Sequence, residues 1–380
     1  MIHHRLCFQT EAMDTKAIFS IIVPLLLCGH SSAGPAVFPT QTGTCWAMGD
    51  PHFRTFDGYF YNFMGNCTYT MSKNCDIDYH HPPFEVDVTN KVLPNSRLTA
   101  VSEVTINIYG FKIQMVRSQL GRITVNGQVW VLPVSFTNTL GTIKMAQSGL
   151  SVVLWVDFGM TVQYDWEEYV AVTMPSGFMG KVCGLCGNFN GNKEDDLALS
   201  NGTLTKSVTE LGRSWMVPSV EGEDYCQDEC TGECTECSFG KRMAADMFCG
   251  VMTPILDFQF RDCHALIDPS IFFDMCKFDH CRGGGLKDYL CRILQVYTDA
   301  CQRAGIKVHN WRHLARCADP NCPANSHFEQ CGDACQPTCL GNTTCDIPCV
   351  QTCICDEGYI RSGNKCISKT KLCLDNKLVE

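Results

Sequence analysis

Two groups of side chains that could do chemistry lie next to each other between residues 181 and 197. A Cys-x-x-Cys pair, Cys183 and Cys186, comes first, and a loop rich in asparagine and aspartate follows directly. Calcium takes about six to eight oxygen ligands in flexible geometry, and glycines in the loop allow tight turns. The loop therefore has the composition of a calcium site. Its oxygen donors at mostly alternating positions are Asn188, Asn190, Asn192, Asp195 and Asp196.

Each group also has a simpler interpretation. A loop rich in asparagine, glycine and aspartate is equally typical of a solvated turn, and its spacing is not that of an EF-hand. The cysteines could form a redox pair, which requires a low-pKa thiol. Only Lys181 supplies a basic neighbour, and no thioredoxin-like βαβ pattern surrounds the motif. Because the chain is rich in cysteine, we favour two structural disulfides that leave in different directions.

The N-terminus predicts a secretory signal peptide over residues 1–33. Lys16 precedes a short apolar run, and small residues before Gly34 offer a cleavage site. Translation from Met13 would give a more conventional signal. The run is too short for a stable membrane span, and no second run of spanning length follows, so we expect a soluble mature chain. The 380 residues carry a net charge of -10, which argues against nucleic-acid binding.

The cysteine count supports a secreted, disulfide-rich protein. The chain has 28 cysteines, and Cys7 and Cys28 lie in the signal segment, so 26 remain. An even number in a secreted chain predicts a complete disulfide framework, although the pairing does not follow from sequence. Glycosylation sequons are expected in such a chain. They begin at Asn66, Asn201 and Asn342.

Residues 43–220 predict a β-rich domain. Alternating apolar residues predict strands over 104–109 and 111–116 around Gly110, and over 123–125 and 128–132 around Asn126-Gly127, a strong hairpin signal. Further strands are expected over residues 150–156, 160–164 and 170–174. Many short strands joined by tight turns predict an antiparallel, sandwich-like domain.

The downstream residues predict two small modules. Residues 226–318 form a helical module, because apolar residues recur at helical spacing within 286–304, and 241–249 and 255–267 also look helical. Residues 322–373 contain ten cysteines and no periodicity, which indicates a small irregular module held by disulfides. The fold class is therefore a multi-domain, disulfide-rich protein.

These motifs together resemble a von Willebrand factor type D assembly. The resemblance depends on Cys-Trp-Ala-Met-Gly-Asp-Pro-His-Phe-Arg-Thr-Phe-Asp-Gly at 45–58, on Cys-Gly-Leu-Cys-Gly-Asn-Phe-Asn-Gly at 183–191, and on the two cysteine blocks that follow. It is strongest to the zonadhesin-like, tectorin-like and IgG Fc-binding branch of the family. It implies a type D domain, then an eight-cysteine module and a trypsin-inhibitor-like module.

The resemblance also implies functional residues. Domains of this family bind one calcium ion, and the matching ligands here would be Asp57 together with Asn188, Asn190, Asn192 and Asp195 or Asp196. Some members cleave themselves at the Asp-Pro bond of a Gly-Asp-Pro-His motif. Here the carboxyl of Asp50 could attack its own carbonyl carbon, with the nitrogen of Pro51 as leaving group and His52 as general acid. The alternative interpretation of Asp50-Pro51 is an ordinary turn.

We therefore expect a secreted, calcium-binding structural or adhesive glycoprotein of an extracellular matrix, mucus or egg-coat type layer. Its partners would be extracellular proteins or glycoproteins, including other copies of the chain. One alternative is serine protease inhibition through the C-terminal module, whose reactive loop would be 345–349; Asp346 and Pro348 suit few serine proteases. A less favoured alternative is thiol–disulfide exchange at Cys183 and Cys186 during assembly. No arrangement of residues typical of an enzyme is found.

Overall fold

The computed structural model describes residues 42–49, 52–76, 81–92, 99–218, 238–252, 258–282, 287–338, 347 and 349–369. The predicted signal segment 1–33 lies outside these residues. The first part of the described chain is built from strands. In chain order they are β1 Thr42–Met48, β2 His52–Arg54, β3 Phe60–Asn62, β4 Thr68–Asn74, β5 Phe84–Val92, β6 Thr99–Ile108, β7 Phe111–Val116, β8 Arg122–Val125, β9 Gln128–Val131, β10 Val134–Thr137, β11 Thr142–Ser148, β12 Ser151–Val156, β13 Thr161–Tyr164, β14 Val170–Pro175 and β15 Val182–Cys183.

These strands form two antiparallel sheets around one apolar core. An eight-stranded sheet has the order β10-β11-β12-β13-β14-β1-β2-β3, and a seven-stranded sheet has the order β15-β4-β5-β6-β7-β8-β9. Leu154 and Val162 of the first sheet and Ile106 and Ile113 of the second are fully buried in the same cluster. Because successive residues of a strand point to opposite faces, one apolar face of each sheet fills this core. The predicted antiparallel sandwich-like domain is confirmed.

The tight turns predicted from sequence are present. Asn126 and Gly127 both have positive φ, 48° and 81°, between β8 and β9. Both central residues of a type I′ turn need positive φ, which asparagine and glycine adopt most readily. The β-strands predicted around Gly110 and over 150–174 are likewise confirmed as β6, β7, β12, β13 and β14.

The helices lie mainly after residue 238. They are α1 Val208–Ser214, α2 Phe239–Cys249, α3 Arg261–His264, α4 Ser270–Arg282, α5 Lys287–Arg303 and α6 Arg312–Ala315. The predicted helices over 241–249 and 286–304 correspond to α2 and α5. The predicted helix over 255–267 is wrong in extent, because within the described residues 258–267 the chain is α-helical only in α3. Asp268-Pro269 follows at once, and the residue before a proline disfavours helical dihedrals.

The C-terminal module contains two small antiparallel sheets. One pairs β16 Ser326–Gly332 with β17 Val350–Cys355, and the other pairs β18 Tyr359–Ser362 with β19 Lys365–Ser368. Disulfides supply much of the cohesion of such a module. The described disulfides of the whole chain are Cys45–Cys186, Cys75–Cys183, Cys249–Cys276, Cys263–Cys301, Cys291–Cys317, Cys322–Cys353, Cys331–Cys349 and Cys355–Cys366.

The helical module packs on the outer face of the eight-stranded sheet. In β1, Cys45 and Ala47 point into the sandwich core, whereas Trp46 and Met48 belong to a second apolar cluster with the helices. The Trp46 ring stacks on Phe272 of α4 at a centroid distance of 6.0 Å. The sheet is therefore buried on both faces in this region. Among the described helices, none combines the length and apolar character that crossing a bilayer requires.

Candidate metal centre

The Cys-x-x-Cys segment joins the two sheets. Cys183 in β15 is bonded to Cys75, directly after β4 of the seven-stranded sheet, and Cys186 is bonded to Cys45 in β1 of the eight-stranded sheet. Between them Leu185 is fully buried, and its carbonyl accepts a hydrogen bond from the Tyr61 hydroxyl at 2.6 Å. The two cysteines therefore form two separate disulfides, and neither sulfur is a free thiol in this structure.

These disulfides fix the start of the asparagine and aspartate loop. Gly187 follows Cys186 with φ of 75°, and a Cβ atom there would lie 2.0 Å from Asp196 Oδ1. Only glycine satisfies both the positive φ and the close approach of the carboxylate. The backbone N–H of Asn188 then donates to Asp196 Oδ1 at 3.3 Å. Glycine at position 187 thus allows the loop to fold back onto Asp196.

The three asparagines form a regular series of turns. The Oδ1 atom of each one accepts a backbone N–H two residues ahead, with distances of 3.2 Å for Asn188, 2.7 Å for Asn190 and 3.3 Å for Asn192. Such side-chain turns mimic backbone turns and explain why asparagine occupies alternating positions. Each amide oxygen retains a second lone pair, so all three keep acceptor capacity.

The amide nitrogens of the same asparagines surround one carboxylate. Nδ2 of Asn188, Asn190 and Asn192 donates to the Asp195 carboxylate at 3.0, 3.0 and 3.2 Å. These hydrogen bonds, led by that from Asn190, hold the pKa of Asp195 below its usual value. The carboxylate therefore remains charged at neutral pH, as a metal ligand must.

Asp57 connects the loop to the turn between β2 and β3. Its Oδ1 accepts from the Gly191 N–H and its Oδ2 from the Asn190 N–H, both at 2.9 Å. The two residues are separated from Asp57 by more than 130 positions in the chain. The structure therefore brings Asp57, the three asparagines and both loop aspartates together, as the sequence resemblance implies.

Asp196 is the buried member of the group. Its side chain accepts from the Thr55 hydroxyl at 2.6 Å, and the residue is 1 % exposed. Burial, assisted by the charges of Asp57 and Asp195, raises the pKa of Asp196 to about 7. Three carboxylates close enough to repel one another form a set that a divalent cation would stabilise.

The set fits calcium better than a softer metal. In the described part of the chain, no three histidine, cysteine, aspartate or glutamate side chains are grouped so that they alone could hold an ion. A cation here would therefore need amide or backbone oxygens beside the carboxylates. Hard oxygen ligands of mixed type are those that calcium accepts.

The His52 side chain belongs to a different contact, on the side of the sheet that faces the helices. Asp50 and Pro51 lie outside the described residues. His52 is fully buried; its Nδ1 lies 2.7 Å from Asn62 Oδ1 on β3, and its Nε2 lies 2.9 Å from Asp279 Oδ1 on α4.

The remaining predicted sites differ in accessibility. Asn201 is exposed in a turn, with its Oδ1 accepting the Thr203 N–H at 2.9 Å. Asn66 is partly buried and precedes Cys67, which is disulfide-bonded. Asn342 and most of the inhibitor-type loop 345–349 lie outside the described residues, so glycosylation there and protease inhibition stay predictions.

The sequence did not reveal two residues that bind the predicted site residues: Thr55, which contacts Asp196, and Asp279, which contacts His52. Thr55 lies two positions before Asp57 in the recognised Thr-Phe-Asp-Gly motif, but its hydroxyl binds a carboxylate 141 positions away. Asp279 was not singled out, because an acidic residue in a helix is usually exposed. Helical spacing could have indicated that Asp279 is buried, because it lies on the same inward face of α4 as Phe272, Met275 and Cys276.

Comparison with known proteins identifies the parts of the chain. Family models match a von Willebrand factor type D domain over residues 45–203, a C8 domain over 248–318 and a trypsin-inhibitor-like cysteine-rich domain over 322–373. The match follows the order in which the sandwich, the helical module and the small sheets occur along the chain.

Three similar proteins span most of the chain. The IgGFc-binding protein of Homo sapiens is 37% identical over 346 residues, which are 88% of this chain and 6% of that protein. Alpha-tectorin of Mus musculus is 33% identical over 87% of this chain and 15% of that protein. Zonadhesin of Sus scrofa is 31% identical over 90% of this chain and 14% of that protein. The chain thus spans only a small part of these relatives. The resemblance inferred from the motifs is confirmed: the chain carries a von Willebrand factor type D domain followed by a C8 domain and a trypsin-inhibitor-like cysteine-rich domain.

Proposed function

We propose that this chain is a secreted, calcium-binding structural or adhesive glycoprotein that acts through contacts with extracellular proteins and glycoproteins. The observation that carries the calcium assignment is that Asp57, Asp195 and Asp196 lie together with the three asparagine amides around one disulfide-anchored loop. The layer in which the protein works is a matrix, mucus or egg coat. The density of disulfides supports an oxidising, extracellular environment.

Calcium would act as a structural tie. Bound by Asp57, by the loop carboxylates and by amide oxygens of Asn188, Asn190 and Asn192, it would neutralise charges that otherwise repel. Since Asp57 follows β2, the ion would link the loop to the N-terminal strands, beside the two disulfides. The protein's own residues already hold the loop near its bound shape through the three asparagine turns, so little ordering is required on binding.

Calcium removal is the direct test. We expect the melting temperature of the secreted chain to rise when calcium replaces EDTA, because an ion that binds only the folded state stabilises it. At calcium concentrations about 100 times the Kd, the gain is about 2.7 kcal/mol. Magnesium should give a smaller rise, since it demands tighter octahedral geometry. Equal melting temperatures in calcium and EDTA would contradict the calcium assignment.

The adhesive part of the proposal draws on the relatives. The IgGFc-binding protein is named for a protein ligand, and zonadhesin for adhesion. Those proteins are far longer than this chain, so their names support a binding role here without identifying the partner.

We also propose self-cleavage at the Asp50–Pro51 bond. The Asp50 carboxylate attacks its own carbonyl carbon and the C–N bond to Pro51 breaks; the proline nitrogen takes the proton that His52 supplies, and water then opens the resulting anhydride. His52 directly follows this bond, and contacts with Asn62 and Asp279 fix the position of its imidazole ring. No metal takes part in these bond changes.

Intact mass before and after reduction tests the cleavage. Residues preceding the cleaved bond include Cys45, which is bonded to Cys186, so both pieces stay together until reduction. We expect reduction to release a fragment that ends at Asp50, and His52→Ala to suppress it. A single full-length mass after reduction would exclude cleavage, whatever the state of the calcium site.

A further inference from the structure

A cavity of about 650 Å³ lies between the outer face of the eight-stranded sheet and the helical module. Its size falls within the range of about 300–1,000 Å³ that is usual for small-molecule sites. The sheet supplies its floor from the interior strands β12, β13, β14, β1 and β2. The wall comes from the segment before α4, from α4 itself and from α5, including Phe272 and Ala300.

The floor carries a row of hydroxyl groups. Strand register places Thr161 opposite Thr173 and Thr173 opposite Thr44, while Trp155 lies opposite Thr161 on the next strand. The four residues therefore point to the same face of the sheet and line the cavity together. The Thr44 and Thr173 hydroxyl oxygens are 2.9 Å apart, and the Trp155 ring is half-buried. The row thus combines a flat aromatic surface with three hydroxyl groups.

A second row adds a cation. Trp46 lies opposite Arg54, and both line the cavity. The Arg54 guanidinium donates one hydrogen bond, from Nη1 to the Thr44 carbonyl at 3.3 Å. Among the described residues no carboxylate lies within 4.0 Å of it. Burial lowers the pKa of Arg54, with the nearby Tyr169 as the opposing influence. A guanidinium has five donors, and a single side-chain hydrogen bond uses one of them, so Arg54 keeps donor capacity for a ligand.

Tyr169 supplies a neutral donor beside this cation. Its ring lines the cavity, and in the described chain its hydroxyl makes no hydrogen bond to protein. Burial, with a contribution from Asp299, raises the pKa of Tyr169, so the hydroxyl keeps its proton at neutral pH. Arg54 and Tyr169 together therefore form a donor pair that an anion with two oxygen atoms would satisfy.

The other charged groups around the cavity already have hydrogen-bond partners in the protein. Arg303 is bonded to the Asp299 carboxylate at 2.7 Å and to the Ser148 carbonyl at 3.1 Å. Asp268, at the rim, accepts from the backbone N–H and the hydroxyl of Ser270 at 2.9 and 2.7 Å. Of the two arginines that line the cavity, Arg54 is the one without a carboxylate partner in the described chain.

We propose that this cavity binds the terminal acidic sugar of a glycoprotein glycan. The carboxylate would be held by Arg54 and Tyr169, the sugar ring would lie against Trp155, and its hydroxyl groups would bind the threonines. A peptide fits less well, because the floor consists of interior strands that offer no free edge for main-chain pairing. The choice of a glycan rests on the proposed glycoprotein-binding function, whereas the site itself rests on the cavity.

The test uses the full secreted chain in calcium. N-acetylneuraminic acid is titrated and binding is followed by ligand-observed NMR, with the methyl ester of the same sugar in parallel. We expect the ester to bind at least about tenfold more weakly, because it loses the charge-assisted hydrogen bonds to Arg54. Arg54→Gln should weaken binding of the free acid by a similar factor.

Two further variants complete the design. Trp155→Ala changes a half-buried position, should also weaken binding, and replaces Arg54→Gln as the test if that variant does not fold. Arg122→Gln is the control: Arg122 is exposed on the other sheet, and its substitution should leave binding unchanged. Equal affinity for acid and ester, or binding of a glutamate-rich peptide but not of the sugar, would overturn the proposal. The rise in melting temperature with calcium, measured on the same samples, distinguishes failure of this site from failure of the proposed function.

Discussion

Replacing Asp195 by asparagine is expected to abolish the rise in melting temperature that calcium produces. The Asp195 carboxylate lies at the centre of the three asparagine amides and stays charged at neutral pH. The asparagine variant keeps the shape of the side chain but removes its charge. We expect the calcium Kd to increase enough that most of the stabilisation, about 2.7 kcal/mol at 100 times the wild-type Kd, is lost.

Glu194→Gln is the matched control. Glu194 is an exposed neighbour in the same loop, and its backbone N–H, which the substitution leaves in place, is the group that caps the turn at Asn192. It removes the same charge without removing a carboxylate from the Asp57, Asp195 and Asp196 group. Calcium titrations of both variants, followed by thermal unfolding, separate the two effects. If both variants lost the calcium response equally, the net charge of the loop and not a placed ligand would explain it.

Local patterns in the sequence were sufficient for much of the fold. The hairpin at Asn126-Gly127 follows from the positive φ of its central residues, and α5 follows from Leu290, Ile293, Leu294 and Tyr297, which are all buried. In both cases the pattern is complete within a short window. Tertiary contacts did not override it, so the sequence alone was informative.

Helix α4, which the sequence analysis did not predict, shows where local patterns fail. Buried positions in α4 recur at helical spacing, but the last of them is Asp279, which interrupts the apolar pattern. Its partner His52 is 227 positions away, so no local window shows that an acidic residue can be buried there. Similarly, Trp46 and Met48 alternate with Cys45 and Ala47 in a strand that is apolar on both faces. Only the packed helical module explains that pattern.

The sequence predicted which residues form the candidate metal centre, but it did not predict the hydrogen bonds between them. Spacing and family resemblance identified the loop and Asp57, because each contributes an oxygen donor that the sequence shows. The Asp196–Thr55 hydrogen bond and the burial of Asp196 depend on how the loop folds back at Gly187. Those contacts determine which carboxylate is buried, and therefore which pKa is raised.

Replacing Asp279 by alanine is expected to produce a large loss of stability, about 1–3 kcal/mol, because a buried polar group loses its partner. The side chains of His52 and Asp279 are 0 % and 3 % exposed, and their contact joins the type D sandwich to the helical module. Removing the carboxylate leaves the buried Nε2 of His52 without its partner, while Nδ1 keeps its contact with Asn62, and an unsatisfied buried polar atom is costly. Asp279→Asn, which can still accept a hydrogen bond from His52, should cost only about 1 kcal/mol.

Asp274→Ala on the same helix is the control for this effect. The Asp274 side chain is 63 % exposed and pairs with Lys277 at 2.8 Å, so its loss should change stability by less than about 0.5 kcal/mol. Chemical unfolding in calcium measures all variants. The double variant His52→Leu/Asp279→Leu should be less destabilised than the sum of its single changes, because the buried imidazole and carboxylate are removed together and only the half-buried Asn62 loses a partner. Additive single changes would mean that the two side chains do not stabilise the junction as a pair, and the helical module would then be held on the sheet mainly by the apolar contacts of Trp46 and Phe272.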